Sequence, residues 1–443
     1  MNARPLLLAT ALSATALSAP AQTTFNTARL DSLLGSLATH NKLMASVAVS
    51  HDGHELYSRA FGYAQVQPPV AATPATRYRI GSVSKVFTAV LIFQLIDERK
   101  LTLATPLATF FPALPNASTI TIEQLLSHRS GLHSLTSDAD YQGYMTQPKT
   151  QAELLAIIGR GKPDFAPGAQ YAYSNSGYIV LGYIVEQLTG QPYAQVLRKR
   201  IVARAGLRST SYGGKIDPRQ QQALSYELTG TGWQLSPETD MSIPGGAGAL
   251  VSTPADLNRF LTALFGGKLV SAGSLAAMRD VRDGYGRGLM EQQTAGQTGF
   301  GHGGSIDAFR TMTMYYPADK LAVSYCSNGS AATSYVLTSA LNVFHNTPYR
   351  LPDFSTTGYV PLAADLDRYA GIYANPQFPL KIKLTREGNA LRSQASGQAS
   401  FLLEPVGQGQ FKFDPAGIRI AFDPAKPTFT LQQAGHTLEF TKE

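Results

Sequence analysis

The spacing of apolar residues changes character several times along the chain, and each change predicts a different element. From Ser46 to Tyr63 two strand-like segments flank Asp52-Gly53, a dipeptide suited to a tight hairpin turn. The run from Val86 to Ile96 is broken only by Thr88 and Gln94. It is too long for a typical strand and does not alternate, so it predicts a helix buried on most sides, ending near Lys100. Thr121 to Ser127 predicts a short helix capped by Thr119 or Thr121, leading into the turn His128–Gly131. Residues 132–150 are aromatic, polar and irregular, with Tyr141 and Tyr144 as candidates for a pocket wall or for loop anchors.

Further on, Gly177 to Thr189 predicts a helix stopped by Gly190, and Pro192 opens another that ends near Ala205. Gly245 to Gly248 reads as a glycine-rich loop, and Thr253-Pro254 as the cap and first turn of a helix carrying Phe260 to Phe265. Phe300 to Asn328 reads as two strands, Ala308–Tyr316 and Leu321–Ser327, around the turn 317–320, and Ala331–Phe344 as a closing helix. Strands early, helices in the middle, then strands and a helix again describe an α+β domain: an antiparallel sheet flanked by helices, with an all-α lobe inserted. After a proline-containing linker at 349–361, short alternating segments recur from Lys381 to Thr441 and predict a small β-barrel or sandwich over 362–443. The larger, N-terminal domain would then span 22–348.

Residues 1–21 have the layout of a secretory signal: Arg4, an apolar stretch from Leu6 to Leu17, and Ala19-Pro20-Ala21 as the cleavage site. This predicts an exported protein, periplasmic or secreted, with Gln22 and not a lipid-bearing cysteine directly following the cleavage point, and no second stretch able to span a bilayer. The single cysteine, Cys326, reads as a buried small hydrophobe, and an exported chain without disulfides suits a bacterium. Of 443 residues 15% are charged, and the net +7 is dispersed, with no basic run longer than Arg198–Arg200. Nucleic acid is therefore not expected as a partner.

The predicted buried helix begins at Ser82-Val83-Ser84-Lys85. Ser82 would sit where free backbone N–H groups favour developing negative charge. Lys85, one turn on, would be costly to bury charged, so its pKa should fall towards that of a general base. Serine beside such an amine is an activated nucleophile, although Ser-x-x-Lys alone is equally compatible with a capping serine and a snorkelling lysine. A proton carrier for the leaving group is needed, and Tyr-x-Asn occurs at Tyr173-Ser174-Asn175 and at Tyr373-Ala374-Asn375. The first lies between a Pro-Gly turn and a helix, and the second reads as a turn of the C-terminal module. His302-Gly303-Gly304 supplies a strand that substrate could approach closely, with His302 as a polar or cationic wall and the N–H groups of Ser82 and Ser305 facing one carbonyl oxygen. Gly299-Gly301-Gly304 is not followed by a helix, which disfavours a dinucleotide site; there is no G-x-S-x-G elbow, H-E-x-x-H or paired Cys/His set, so no cofactor and no metal are expected. The other histidines, His128 and His133 among them, read as structural or exposed.

Taken in order, Ser82-x-x-Lys85, Tyr173-x-Asn175 and His302-x-Gly304 resemble the serine β-lactamase-like superfamily, in its class C β-lactamase, DD-peptidase, D-aminopeptidase and esterase branch. Leu125–Leu132, Phe165–Tyr178 and Gly246–Leu257 are similar to that branch in phrasing, so the resemblance covers about residues 27–345. It implies a β-lactamase/transpeptidase-like fold with Ser82 acylated, Lys85 its base, Tyr173 shuttling the proton, Asn175 positioning substrate, and His302, Gly303, Gly304 and Ser305 lining the binding strand. The C-terminal module resembles the small lipocalin-like domains appended to such hydrolases. The chain departs from the branch at Gly303, where a hydroxyl residue would contact a substrate carboxylate, and at His302, a weaker cation than lysine. The resemblance thus implies a serine hydrolase of an amide or ester bond, in a D-amino-acid peptide or a small ester that could derive from peptidoglycan. Alternatives are a β-lactamase or D-alanyl-D-alanine carboxypeptidase proper, a transferase, or an envelope-binding homologue with weak turnover.

Overall fold

The structure is a computed structural model that describes residues 25–229, 232–330, 334–348, 359–396, 400–413, 416–433 and 435–443. The signal-like segment 1–21 and most of the linker at 349–361 lie outside the described residues.

A six-stranded antiparallel sheet forms the platform, in the order 290–294, 297–306, 309–316, 321–330, 43–51, 54–61. The chain's early hairpin thus joins its late strands, Leu43–His51 pairing with Leu321–Ser330. One face is covered by the helices Thr27–Thr39 and Ser334–Phe344, whose Leu30, Leu33, Leu34 and Val336 pack on Val47, Val49 and Val323. The other face carries Pro254–Phe265, capped by Thr253 as expected, and beyond it the helical lobe.

At the centre of that lobe, Ser84–Asp97 is buried on nearly every side, as its unbroken apolar run requires. Phe87 stacks on Phe260 with ring centroids 3.7 Å apart, tying this helix to the one lying on the sheet. The Ile122–Leu126 helix carries the reciprocal capping box of Thr121 and Gln124. Asn175–Thr189 ends at Gly190, which takes the left-handed conformation that lets the chain leave a helix.

Several readings of the sequence are corrected. The segment 300–328 holds three strands: Gln297–Ile306 contains His302–Ser305 itself, and the polar Met290–Thr294 pairs outside it. Gly245–Gly248 is a helical turn, not a loop. It packs so closely on Asn175–Thr189 that a Cβ at Gly246 would come 2.7 Å from the Tyr178 carbonyl oxygen. Tyr373-Ala374-Asn375 lies in the strand Gly371–Asn375 and is not a turn.

The C-terminal module is a closed eight-stranded barrel, Gly371–Asn375 through His436–Lys442, with its first and last strands paired. Closure removes free edges, and Tyr373, Leu384, Leu391, Phe411, Phe429 and Phe440 join one core cluster. An ion pair and a hydrogen bond join the barrel to the rest of the chain. Lys42 pairs with Glu404 at 3.0 Å, and Arg392 donates to the carbonyl of Leu228 at 3.2 Å. Leu228 belongs to the hairpin Tyr226–Thr229/Gly232–Leu235. Cys326 is fully buried and its thiol pushed up to about 12 by that burial. Among the described residues no helix is long and apolar enough to cross a membrane.

Candidate active site

Ser82 sits in a single turn of 3₁₀ helix, Gly81–Val83, that runs directly into Ser84–Asp97. Gly81 has φ of +50°, and a Cβ there would lie 2.9 Å from the Ser305 backbone. Gly304 answers it from the other side, where a Cβ would collide with the Ile80 carbonyl. Glycine at both positions lets the serine turn and the strand edge meet without side chains between them. Pairing of Gln297–Ile306 with Met290–Thr294 ends at Gly301. The backbone edge of residues 302–306 is therefore left open toward Ser82 on that side among the described residues.

Lys85 is completely buried, and its Nζ has three neighbours: Ser82 Oγ at 3.0 Å, Asn175 Oδ1 at 2.8 Å and Ala247 O at 2.9 Å. None carries a negative charge, so desolvation holds the amine well below its ordinary pKa. A neutral amine has two N–H donors and one lone pair. The amide oxygen of Asn175 and the carbonyl of Ala247 can only accept, which leaves the lone pair for the Ser82 hydroxyl. The Asn175 amide is held in this orientation because its Nδ2 donates to Thr136 Oγ1 at 2.9 Å.

Tyr173 is 38% exposed as a whole residue, while its phenol is desolvated and hydrogen-bonded with Ser82. Burial raises its pKa, so the phenol stays protonated in the resting site. Lys85 Nζ lies 4.8 Å from the centre of that ring. The four groups Ser82, Lys85, Tyr173 and Asn175, drawn from two separated stretches of sequence, are thus brought together.

His302 is placed beside them, with its ring 6.3 Å from that of Tyr173, but not as a cation. It is 2% exposed, and its pKa is pushed down to about 3 by burial and then by Lys85. Its Nδ1–H donates to the Gly303 carbonyl, so Nε2 accepts the Tyr285 hydroxyl at 3.1 Å. Gly303 does not face Ser82. Side-chain direction alternates along a strand, and with Gly304 against Ile80 a Cβ at 303 points to Met312, 3.2 Å from its methyl. Ser305 is exposed on the cleft.

The cleft in front of Ser82 has a volume of about 570 Å³. Both Tyr141 and Tyr144 pack against the lobe's core, as loop anchors would, and Tyr141 also lines the cleft. Its charged lining residues are Glu227 and Asp307, both acidic. Asp307 also buttresses the strand end. It accepts from Arg79 at 2.9 Å and from the Thr239 N–H at 2.9 Å, and Arg79 is itself buried against Glu238 and two carbonyls. Sequence reasoning missed Thr136, Ala247, Tyr285 and the Arg79–Asp307 pair, because no local pattern marks residues that meet only through tertiary contacts. His128 was placed among structural or exposed histidines; it is buried, directly behind Tyr173. Among the described residues no cluster of His, Cys, Asp and Glu could hold a metal ion.

Residues 30–344 match the Beta-lactamase family model. Penicillin-binding protein 4 of Amycolatopsis lactamdurans is 31% identical over 67% of this chain and 83% of its own length. The teichoic acid D-alanine hydrolase of Staphylococcus aureus is 27% identical over 51% of this chain and 55% of its own. The chain thus spans little more than half the length of some of the curated relatives it matches. The structure of D-amino acid amidase from Ochrobactrum anthropi SV3, complexed with L-phenylalanine amide, superposes with a TM-score of 0.63 at 25% identity, covering 72% of this chain and 95% of that one.

Proposed function

Because the chain belongs to the Beta-lactamase family and has the fold of its serine hydrolases, we propose that it hydrolyses an amide or ester of a D-amino acid through an acyl-enzyme on Ser82. The observation that carries this reading is the environment of Lys85: buried, without a counter-ion, and 3.0 Å from Ser82 Oγ.

In the proposed reaction the Lys85 amine takes the hydroxyl proton as Ser82 Oγ bonds to the substrate carbonyl carbon. The backbone N–H groups of Ser82 and Ser305 would hold the oxyanion. Tyr173 delivers a proton to the departing nitrogen or oxygen as its bond to the carbonyl carbon breaks, and recovers one from the Lys85 ammonium formed in the first step. Water then adds to the ester under the same base, releasing the acid and restoring the serine.

Among the described residues that line the cleft none is a cation that could hold the terminal carboxylate of a departing D-amino acid: His302 beside it is neutral and the charged lining residues are acidic. This favours D-amino-acid amides and esters over β-lactams and D-alanyl-D-alanine peptides. The amidase and the D-alanine hydrolase among the similar proteins carry compatible names. We further propose export directed by residues 1–21, with a hydrolase domain at 22–348, a linker at 349–361 and the barrel at 362–443.

A panel of D-alanine p-nitroanilide, p-nitrophenyl esters, D-Ala-D-Ala peptides and nitrocefin tests the substrate class. Turnover of the D-alanine anilide or an ester, abolished in Ser82→Ala, is expected. Turnover that survives that substitution would overturn the mechanism, and preference for nitrocefin would overturn the substrate class.

A further inference from the structure

Behind Tyr173 lies a histidine that the proposed chemistry does not use. His128 is 1% exposed and has φ of +57°, a backbone region that only a few side chains tolerate. Its ring is 4.2 Å from that of Tyr173, centroid to centroid, and Tyr285, Tyr178 and Tyr171 close around it at 4.7, 5.1 and 6.1 Å.

The imidazole also holds the backbone on which Tyr173 rides. The Ser174 N–H donates to His128 Nδ1 at 3.1 Å, and the Ala172 N–H donates to the His128 carbonyl at 2.9 Å. The two residues flanking Tyr173 are therefore both fastened to His128, one by its side chain and one by its main chain. An accepting Nδ1 puts the proton of the neutral ring on Nε2, which has no hydrogen-bond partner and is sealed from water. A buried N–H without an acceptor is costly, and it is kept where surrounding structure demands the ring. An apolar aromatic would fill the same space without that cost, but it could not accept the Ser174 N–H.

We infer that His128 is a positioning residue, which fixes the Tyr173 phenol at Ser82 by packing against its ring and by accepting the Ser174 N–H through Nδ1. This rests on the role proposed for Tyr173. Burial and the nearby Lys85 and His302 keep the imidazole pKa well below its ordinary value, so the acceptor is retained at neutral pH.

Three substitutions separate the parts of this role. Asparagine places an amide oxygen near the position of Nδ1 and tolerates the positive φ. Glutamine reaches instead toward Nε2, and phenylalanine keeps the ring but offers no acceptor. With the substrate turned over best, His128→Phe is expected to lower kcat at least tenfold with KM within threefold. His128→Asn should retain at least fivefold more kcat than His128→Phe or His128→Gln. Crystal structures of the wild type and His128→Phe give a readout independent of turnover, in which the phenol oxygen should leave Ser82. Should His128→Phe not fold, the comparison of Asn with Gln decides. Equal kcat in folded His128→Asn and His128→Gln, or a phenol unmoved in His128→Phe, would overturn the inference. Labelling of wild-type Ser82 by a fluorophosphonate, read by intact mass, decides separately whether the acyl-enzyme reading itself stands.

Discussion

Lys85 Nζ and Asn175 Oδ1 stand 2.8 Å apart although 90 positions separate them in sequence, and the Asn175 amide is turned by Thr136 so that only its oxygen can face the lysine. This contact stabilises the amine geometrically without supplying a charge. A carboxylate in the same place would hold the ammonium form.

Asn175→Asp tests that difference. Activity that depends on the neutral amine is lost as pH falls through the Lys85 pKa, so the acid limb of kcat/KM reports it. A facing carboxylate favours the charged form and should move that limb upward by about 1–3 pH units. An unmoved limb would separate Lys85 from the base role.

Replacing the base by a residue that stays charged is the sharper substitution. Lys85→Arg installs a permanent cation that cannot deprotonate near neutrality. A loss in kcat of about 10²–10⁴-fold is expected, measured in single-turnover acylation. Acylation within threefold of wild type would contradict the mechanism.

Stability should also respond to pH through His302. Its folded pKa of about 3 lies below the ordinary 6.5, so between these values the unfolded chain binds the extra proton. Stability is therefore fully present above pH 6.5 and declines as pH falls toward 3, at about 1.4 kcal/mol per pH unit. Wild type should lose about 2–3 kcal/mol more than His302→Gln between pH 7 and pH 4.5, read from urea unfolding. Parallel losses in the two proteins would count against a neutral buried His302.

The Arg79–Asp307 pair should behave as a buried ion pair at 2% and 0% side-chain exposure. Asp307→Ala removes one of the two carboxylates on the buried Arg79 guanidinium and leaves Glu238 as the other, so it is expected to cost less than the about 3–5 kcal/mol of an uncompensated buried charge. Arg79→Met with Asp307→Leu removes both charges and should cost less than the two single changes summed. Additivity, measured by chemical denaturation, would mean that the two groups act independently.

What the sequence disclosed follows the range of the interactions involved. Ser82 and Lys85 are one helical turn apart, so apolar patterning and spacing alone brought them together. Thr253 and Gly190 likewise announce helix ends within a few residues. The C-terminal strands alternate clearly enough to be placed, and closure into a barrel follows from one more strand, Gly371–Asn375, pairing with the last. Met290–Thr294 escaped because Glu291, Gln292 and Gln293 lack an apolar alternation, and its pairing with 297–301 is what makes it a strand. Gly245–Gly248 escaped for the opposite reason. Glycine is a poor helix former, but close packing of Gly246 against Tyr178 and Gly182 admits nothing larger at that position. Of the polar and cationic alternatives for His302, the neutral one is selected by burial under distant elements, which is not written in neighbouring residues. His128 and Tyr285 reach the site only through the packing of loops.

The open edge at residues 302–306 also bears on how the chain avoids its own kind. Unpaired strand backbone is a template for any extended segment, including that of a second molecule. This stretch is short, begins where the pairing with 290–294 stops, and is crowded by the Ile80–Ser82 turn at Gly304. A long flat strand from another copy would meet that turn before it could form a ladder, while a small molecule with one or two amide groups would not. The glycines that clear a path for a ligand therefore also set an upper limit on the size of what can lie along the edge, and selectivity against aggregation and selectivity for a small acyl donor become one steric property.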